Sequence, residues 1–474
     1  MRMSAVEDFG SDVPGRTVVP ARPTPPRHQV GLARALIQPA ILTNLIASFP
    51  EAWYRERFSR FRIGVSASGR GIVINDADAI RHILVTAADN FPKEDNQLAV
   101  LRPLLGRGLL TDEGESWRRK RQLAAPIFQH AALKEFAPLF VRAAERSAHR
   151  ALSQKNAFPI DAEMTRVTLD IIGEAILGCD LESDVEDISN TVGGTLDKFP
   201  GMFLAGVLLP PYGRDRVIEA LVAPGRRSLT KFARKIIKHA RDNQIRSSLI
   251  GKLMDASKAD SGEDMTLDNV RDEIATFLLA GHETTATTLS WVWYLLSLYP
   301  DAMVRIQDEV DQVAEGRALT ADDLSSLPYT RAVVDEALRL YPPVANLLRK
   351  ANETTEVAPG ITVKAGERVL ISPWLLHRHE TYWSEPEEFR PERFLGEAGK
   401  ERPRHAYLPF GGGPRICIGS SFSLMEAVLI LGTYAQKMGV QVLNTAEVMP
   451  QARIVMRPSV RLRAVTFPRV QPNA

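Results

Sequence analysis

The chain has 474 residues, 45% hydrophobic and 24% charged, with a formal net charge of +2. This is the composition of a globular protein with a large core, and its near-balanced charge gives no reason to expect nucleic acid. Two cysteines, Cys179 and Cys417, exclude a Cys-x-x-Cys metal site, an iron–sulfur cluster and a disulfide framework, and agree with a reducing compartment.

From the N-terminus, Pro20, Pro23, Pro25 and Pro26 mark a stiff, extended arm over residues 1–30. No charged-then-apolar leader precedes a cleavage site. The most apolar early stretch, Gly31 to Phe49, is interrupted by Arg34, Gln38, Pro39 and Asn44. No run approaches the roughly 18 apolar residues of a membrane span. Length alone suggests about three domains, but no linker divides the chain, so residues 1–474 are expected to form one domain.

Short β-like runs follow at Phe61, Ile63 and Val65 and at Ile72 to Ile74, around Gly69 and Gly71. Trp117-Arg118-Arg119-Lys120-Arg121 comes after Gly106-Arg107-Gly108-Leu109-Leu110. Trp117 and Arg121 are four apart and share a helix face, which leaves Arg118, Arg119 and Lys120 for the surface. Cys179 ends an apolar run (Ile171, Ile172, Ala175, Ile176, Leu177) and reads as core filler. Phe199 to Tyr212 reads as a connection between helices, and the basic run Arg226 to Arg241 as a solvated helix face.

The longest predicted helix runs from Leu267 to about Leu298, with Thr266 as N-cap and Pro300 just beyond its end. At 1.5 Å per residue it is roughly 45–50 Å long. It contains Ala280-Gly281-His282-Glu283-Thr284-Thr285. Glycine inside a helix costs about 1 kcal/mol relative to alanine, and threonine can bond back to the carbonyl four residues earlier. Together they predict a local opening of the ladder, a groove for a small ligand and a water. Thr276, Leu279, Ala280 and Thr284 share one face, and His282 points elsewhere in a structural role. Taken alone, Glu283-Thr284 reads equally as an ordinary polar pair.

Glu336 and Arg339 place opposite charges at i and i+3 on a helix that stops at Pro342-Pro343. A β region spans Glu356 to Ser372, turning at Pro359-Gly360, and Phe389-Arg390-Pro391-Glu392-Arg393-Phe394 follows it. A last strand is expected where Val460, Leu462 and Ala464 alternate with Arg461 and Arg463. Between them lies Phe410-Gly411-Gly412-Gly413-Pro414-Arg415-Ile416-Cys417-Ile418-Gly419, leading into an apolar helix from about Ser420 to Met438. A thiol there meets the positive end of the helix dipole and unpaired N–H groups, which favour the thiolate.

This loop satisfies the pattern Phe-x-x-Gly-x-Arg-x-Cys-x-Gly, and the chain resembles the cytochrome P450 superfamily from roughly Phe61 to Val465. The resemblance implies a mainly α fold: a large helical domain with a long central helix over the haem, and a small β-sheet-rich lobe. It implies that Cys417 ligates the iron of haem b, within a loop shaped by Phe410, Gly413, Arg415 and Gly419. Trp117, Arg121, Arg349 and Arg415 would reach the propionates, and Ala280 would lie at the haem.

Glu283 and Thr284 would relay protons to oxygen, and Glu336, Arg339 and Arg393 would form a buried structural triad. Thr276, Leu279, Ala280, Val344 and Asn346 would line the substrate pocket, along with residues 100–105. Thr276 and Asn346 either orient a polar group of the substrate or bond to backbone. The implied activity is a monooxygenase that hydroxylates an apolar small molecule with O2. In this chain no Gly-x-Gly-x-x-Gly fingerprint and no iron–sulfur cysteines supply electrons. They would come ultimately from NAD(P)H, through a separate ferredoxin or flavodoxin and its reductase, docking on Arg118, Arg119 and Lys120. Lack of a membrane span favours the soluble bacterial type, in the cytoplasm. A peroxygenase or isomerase would not need the intact Glu283-Thr284 pair, and a haem sensor would need an output domain.

Overall fold

The organising element is the helix Leu267–Leu298. Thr266 caps it, its hydroxyl oxygen accepting the Asn269 N–H at 3.3 Å. Trp291, Val292, Trp293, Tyr294, Leu295 and Leu296 are buried in succession, so this end of the helix is apolar all round and lies inside the protein. It packs against the helices Ile160–Ile172, Pro211–Asp242, Pro328–Leu340 and Ser420–Lys437. The computed structural model describes residues 20–21, 44–62, 70–198, 201–202, 205, 209–245, 248–259, 266–397 and 401–469.

The opening expected at Gly281 is not present, and the helix continues through it. A Cβ at Gly281 would lie 2.8 Å from Ile172 Cδ1. The glycine therefore serves close approach of the helix Ile160–Ile172 and does not break the ladder.

The β-rich lobe is a four-stranded sheet in the order Phe58–Arg62, Arg70–Ile74, Arg368–Ile371, Leu347–Lys350. The two central strands are parallel and the outer pairings antiparallel. It has its own apolar cluster, including Ile72, Ile74, Ile80, Leu84, Val369 and Ile371, apart from the large helical core. The turn at Pro359-Gly360 joins Thr355–Ala358 to Ile361–Val363, with Gly360 at φ 75°. The C-terminal strand starts at Arg463, later than the alternation suggested. Leu462 and Ala464 are buried, while Val460 lies exposed before the strand.

Ile63, Val65 and Gly69 lie outside the described residues, as do Pro23, Pro25 and Pro26 of the arm. Its Pro20-Ala21 step is tied to the core: the Ala21 N–H donates to Tyr294 Oη and Tyr341 Oη donates to the Ala21 carbonyl. The connection 199–212 is described only in part, and its downstream helix starts at Pro211. On that helix Arg226, Arg227, Lys231, Arg234, Lys235, Lys238 and Arg241 are exposed, opposite buried Leu229, Phe232, Ala233 and Ile236. This is the solvated basic face the sequence suggested. Cys179 is half-buried against the main core, and burial pushes its thiol up to about 12, as suits an inert filler. Among the described residues no helix is long and apolar enough to cross a membrane.

Candidate active site

Cys417 lies between a short turn at Gly413–Arg415 and the helix Ser420–Lys437. Its N–H donates to the Phe410 carbonyl at 2.9 Å, which closes the loop on itself. Phe410 is half-buried against the helical core. Gly411 and Gly413 have φ of 72° and 69°. A Cβ at Gly413 would fall 1.7 Å from the Leu84 carbonyl oxygen, so the loop touches backbone of the β-rich lobe there. We expect Gly413→Ala to lose the left-handed conformation, at about 1–2 kcal/mol, plus the overlap with Leu84. A lowered midpoint in thermal denaturation checks this.

The thiol of Cys417 lies deep among protein atoms, yet the residue has ample accessible surface. Both hold if the sulfur borders an interior space, and we read it so. Burial pushes the thiol up, against the Gly419 N–H and the Arg121 charge, which pull it down. Burial therefore outweighs the stabilisation expected at this helix start. A thiolate here needs positive charge directly on the sulfur, as a metal ion provides.

A set of cations gathers beside this loop. Arg415 stacks on the Trp117 ring at 3.6 Å and donates to the Asp112 carbonyl at 2.9 Å and to the Glu113 carboxylate. Arg121 lies 5.8 Å from the same ring. Arg349 is buried, and the one hydrogen bond of its guanidinium among the described residues goes to the Leu348 carbonyl. Burial pushes it down to about 10. Lys93, which sequence reasoning missed, bridges Arg349 along the backbone and donates to the Leu110 carbonyl. Burial pushes it down to about 7, assisted by Arg415, Arg349 and Arg102 against Glu113. Buried cations that outnumber their carboxylates are costly unless an anion joins them. No local pattern marks Lys93; only the strand pairing brings it here.

On the long helix, every residue from Asp272 to Leu296 is buried except Ala280, Gly281 and Thr284. These three residues form a short, partly accessible window in the middle of a core helix. The helix passes the cysteine helix where the Thr285 and Ser423 hydroxyls meet at 3.0 Å. The Thr284 hydroxyl donates to the Ala280 carbonyl at 2.9 Å. Glu283 is buried and paired with Arg457 of the C-terminal region. His282 is fully buried, with Nδ1 against the Leu278 carbonyl and Nε2 3.8 Å from Glu283. It packs in the core, as its spacing suggested.

Val344 and Asn346 are half-buried, whereas Thr276 and Leu279 are buried. Among the described residues the Thr276 hydroxyl and Asn346 Oδ1 both lack a hydrogen-bond partner, so neither is bonded to backbone there. Thr276 lies beneath Gly108, whose Cβ position is 2.0 Å from its hydroxyl.

Glu336 and Arg339 form a two-bond pair at 2.7 Å with no exposure of either side chain. Arg393 stands 3.4 Å from Glu336 and donates to the Ser384 and Glu385 carbonyls. Arg339 also donates to the carbonyls of His377, Pro386 and Glu388. The three charges thus bind helix Pro328–Leu340 to the segment 384–393.

One expectation fails. Lys120 is buried, donating to the Asp112 carboxylate at 2.7 Å and to the Arg107 carbonyl. It shares the inward helix face with Trp117 and Ala124. Only Arg118 and Arg119 remain exposed, and Arg118 is already paired with Glu115 and Asp89.

The family model "Cytochrome P450" matches residues 54–462. This chain belongs to the cytochrome P450 family. It is 32% identical over 375 residues to cyclooctatin synthase of Streptomyces melanosporofaciens, covering 78% of this chain and 80% of that one. It is 30% identical to the chloroplastic cytochrome P450 97B2 of Glycine max, covering 83% and 78%. The crystal structure of the cytochrome P450DA heme domain shares its fold, with a TM-score of 0.79 over 96% of this chain and 99% of that one, at 24% identity. This cytochrome P450 is therefore a monooxygenase of the haem-thiolate class. Its residues fit the family's cofactor: a lone deep thiol, buried cations short of anions, and an accessible window on the long helix.

Proposed function

We propose that this P450 holds haem b through Cys417 and hydroxylates an apolar small molecule with O2. The observation that carries the reading is the Cys417 thiol, deep in the protein yet accessible, beside buried cations that outnumber the one carboxylate, Glu113, among them. A thiolate-bound haem supplies the oxygen activation, since the sulfur's electron push favours O–O cleavage.

The chain's own residues bind, orient and move protons. Arg349, Arg121, Arg415 and Lys93 pair with the propionates, and Trp117 holds Arg415 by stacking. Gly413 and Gly419 keep the loop free of side chains near the sulfur, and Phe410 shields it from water. Ala280 leaves room on the long helix. Val344 and Asn346 present the substrate surface, with Leu279 packed behind. Asn346 Oδ1 accepts one donor group of an otherwise apolar substrate, and the buried Thr276 hydroxyl donates or accepts nearby. Glu283 supplies protons and Thr284 orders the water that carries them. The triad Glu336, Arg339 and Arg393 braces the haem loop. The whole chain, 1–474, acts as one catalytic domain.

Electrons come ultimately from NAD(P)H, through a separate ferredoxin or flavodoxin and its reductase, in the cytoplasm. Docking rests on Arg118 and Arg119 without Lys120. Charge reversal at both slows association with an acidic donor, and added salt shrinks the difference. Stopped-flow haem reduction reads this, and identical salt-independent rates would refute it.

Each propionate contact is a charge-assisted hydrogen bond of about 1.5–3 kcal/mol. Arg349→Ala is expected to weaken haem retention roughly 10- to 100-fold while leaving the iron ligand unchanged. Haem transfer to apomyoglobin measures the release rate; wild-type release in this variant would remove Arg349 from the site.

A further inference from the structure

Segment 106–113 joins the helix Asp95–Leu105 to the helix Gly114–Ala124. It contains little regular structure, yet ionic side chains grip it at both ends. From the long helix, Asp272 accepts the Arg107 N–H at 2.8 Å and Glu273 accepts the Leu109 N–H at 3.1 Å. From the following helix, Lys120 donates to the Arg107 carbonyl and holds Asp112. Arg102 donates to the Thr111 carbonyl and Lys93 to the Leu110 carbonyl. Arg415, two residues before Cys417, donates to the Asp112 carbonyl.

The fit against the long helix is close. A Cβ at Gly106, where φ is 66°, would lie 2.1 Å from the Asp272 carboxylate, and one at Gly108 would overlap the Thr276 hydroxyl. The segment thus covers the helix one turn before Ala280. A purely structural clamp would use both carboxyl oxygens, yet Glu273 is 2% exposed and its Oε1 has no partner among the described residues. Loop N–H groups that end on buried carboxylates are strong only while water is kept out.

We propose that Asp272 and Glu273 are positioning residues forming a latch: they hold segment 106–113 closed over the long helix, and release of Glu273 admits ligand. The claim rests on the active-site reading above, because the face it covers leads to Ala280 and Thr284.

The latch is expected to respond to pH. Burial pushes Glu273 up to about 7. Asp272 on its own helix and Asp112 on the segment push the same way, while the Leu109 N–H and Lys120 pull down. A carboxyl raised in the closed form and ordinary in the open one stabilises closure fully below the usual carboxylate range. That contribution is lost as pH rises through about 7. Opening is thus coupled to ionisation of Glu273.

Hydrogen exchange on the full, haem-loaded chain tests this, with rates corrected for intrinsic pH dependence. Protection of the peptide covering 106–111 should fall as pH rises through about 7. Glu273→Gln keeps an acceptor for Leu109 without a titrating proton and should flatten that step. Asp272→Ala with Glu273→Ala should speed exchange there roughly tenfold or more. The same double variant should bind 4-phenylimidazole severalfold faster by stopped-flow absorbance. Unchanged protection in the double variant, or a pH step that survives in Glu273→Gln, overturns the latch. Should the double variant fail to fold, the isosteric Glu273→Gln decides alone. Exchange does not depend on the iron ligand, so a missing thiolate signature would refute the functional reading while leaving the latch test intact.

Discussion

Cys417→Ala is expected to abolish the red-shifted Soret band that a thiolate ligand gives the reduced carbon monoxide complex. The reason lies in the composition and in the fold together. Only two thiols exist, and Cys179 is a half-buried filler whose thiol is pushed up to about 12. No second thiolate can replace Cys417. Alanine removes the sulfur without adding bulk, in a loop whose shape rests on Gly411, Gly413 and the Cys417–Phe410 backbone bond. The fold should therefore survive while haem affinity falls steeply. Cys417→His keeps a ligand of different donor type, so haem is retained and the band moves to the position typical of imidazole ligation. A Cys417→Ala protein that kept the thiolate band would overturn the assignment at once.

The second large effect concerns protons. Thr284→Ala should keep consuming NAD(P)H and O2 while product falls and hydrogen peroxide rises. Its hydroxyl sits in the accessible window of the long helix, one turn past Ala280, and donates to the Ala280 carbonyl. In that geometry the oxygen's lone pairs remain free to accept from a water. On this reading the water that carries protons would lose its ordering partner, and reduced oxygen would be released unused. Glu283→Gln should act differently in kind. Glu283 is buried beside Thr284 and held by Arg457, which is partly exposed and gives the pair a route toward solvent. Removing the acid slows oxygen consumption itself, by about 100-fold or more if it supplies the general acid. Peroxide yield per NAD(P)H and the solvent isotope effect on turnover separate the two. A fully coupled Thr284→Ala with a tightly bound substrate would remove the hydroxyl from the relay.

Much of the candidate site's local structure was readable because its signals are local. The glycine and cysteine spacing around Cys417 reflects short-range needs: positive φ at Gly411 and Gly413, and a sulfur at a helix start. The long helix and its Thr266 cap were visible from periodicity and capping chemistry, both properties of neighbouring residues. The Glu336–Arg339 pair follows from helix geometry alone.

What only the tertiary structure decided is pairing between distant segments. Gly281 looked like a break, and the approach of Ile172 explains it instead. Lys120 looked exposed because Trp117 and Arg121 are four apart; Asp112 and the Arg107 carbonyl draw it inward. Lys93 carried no pattern and is placed by its bridge to Arg349, more than 250 positions later in the chain. Arg457 as partner of Glu283, and Asp272 and Glu273 as holders of segment 106–113, likewise span long separations. The sequence by itself determined the elements, the position of the thiol at a helix start and the placement of Glu283 and Thr284 on the long helix, since each depends on residues within a few turns. The environment that tunes them was set by packing, because burial and charge pairing depend on which distant side chains share the same water-free space.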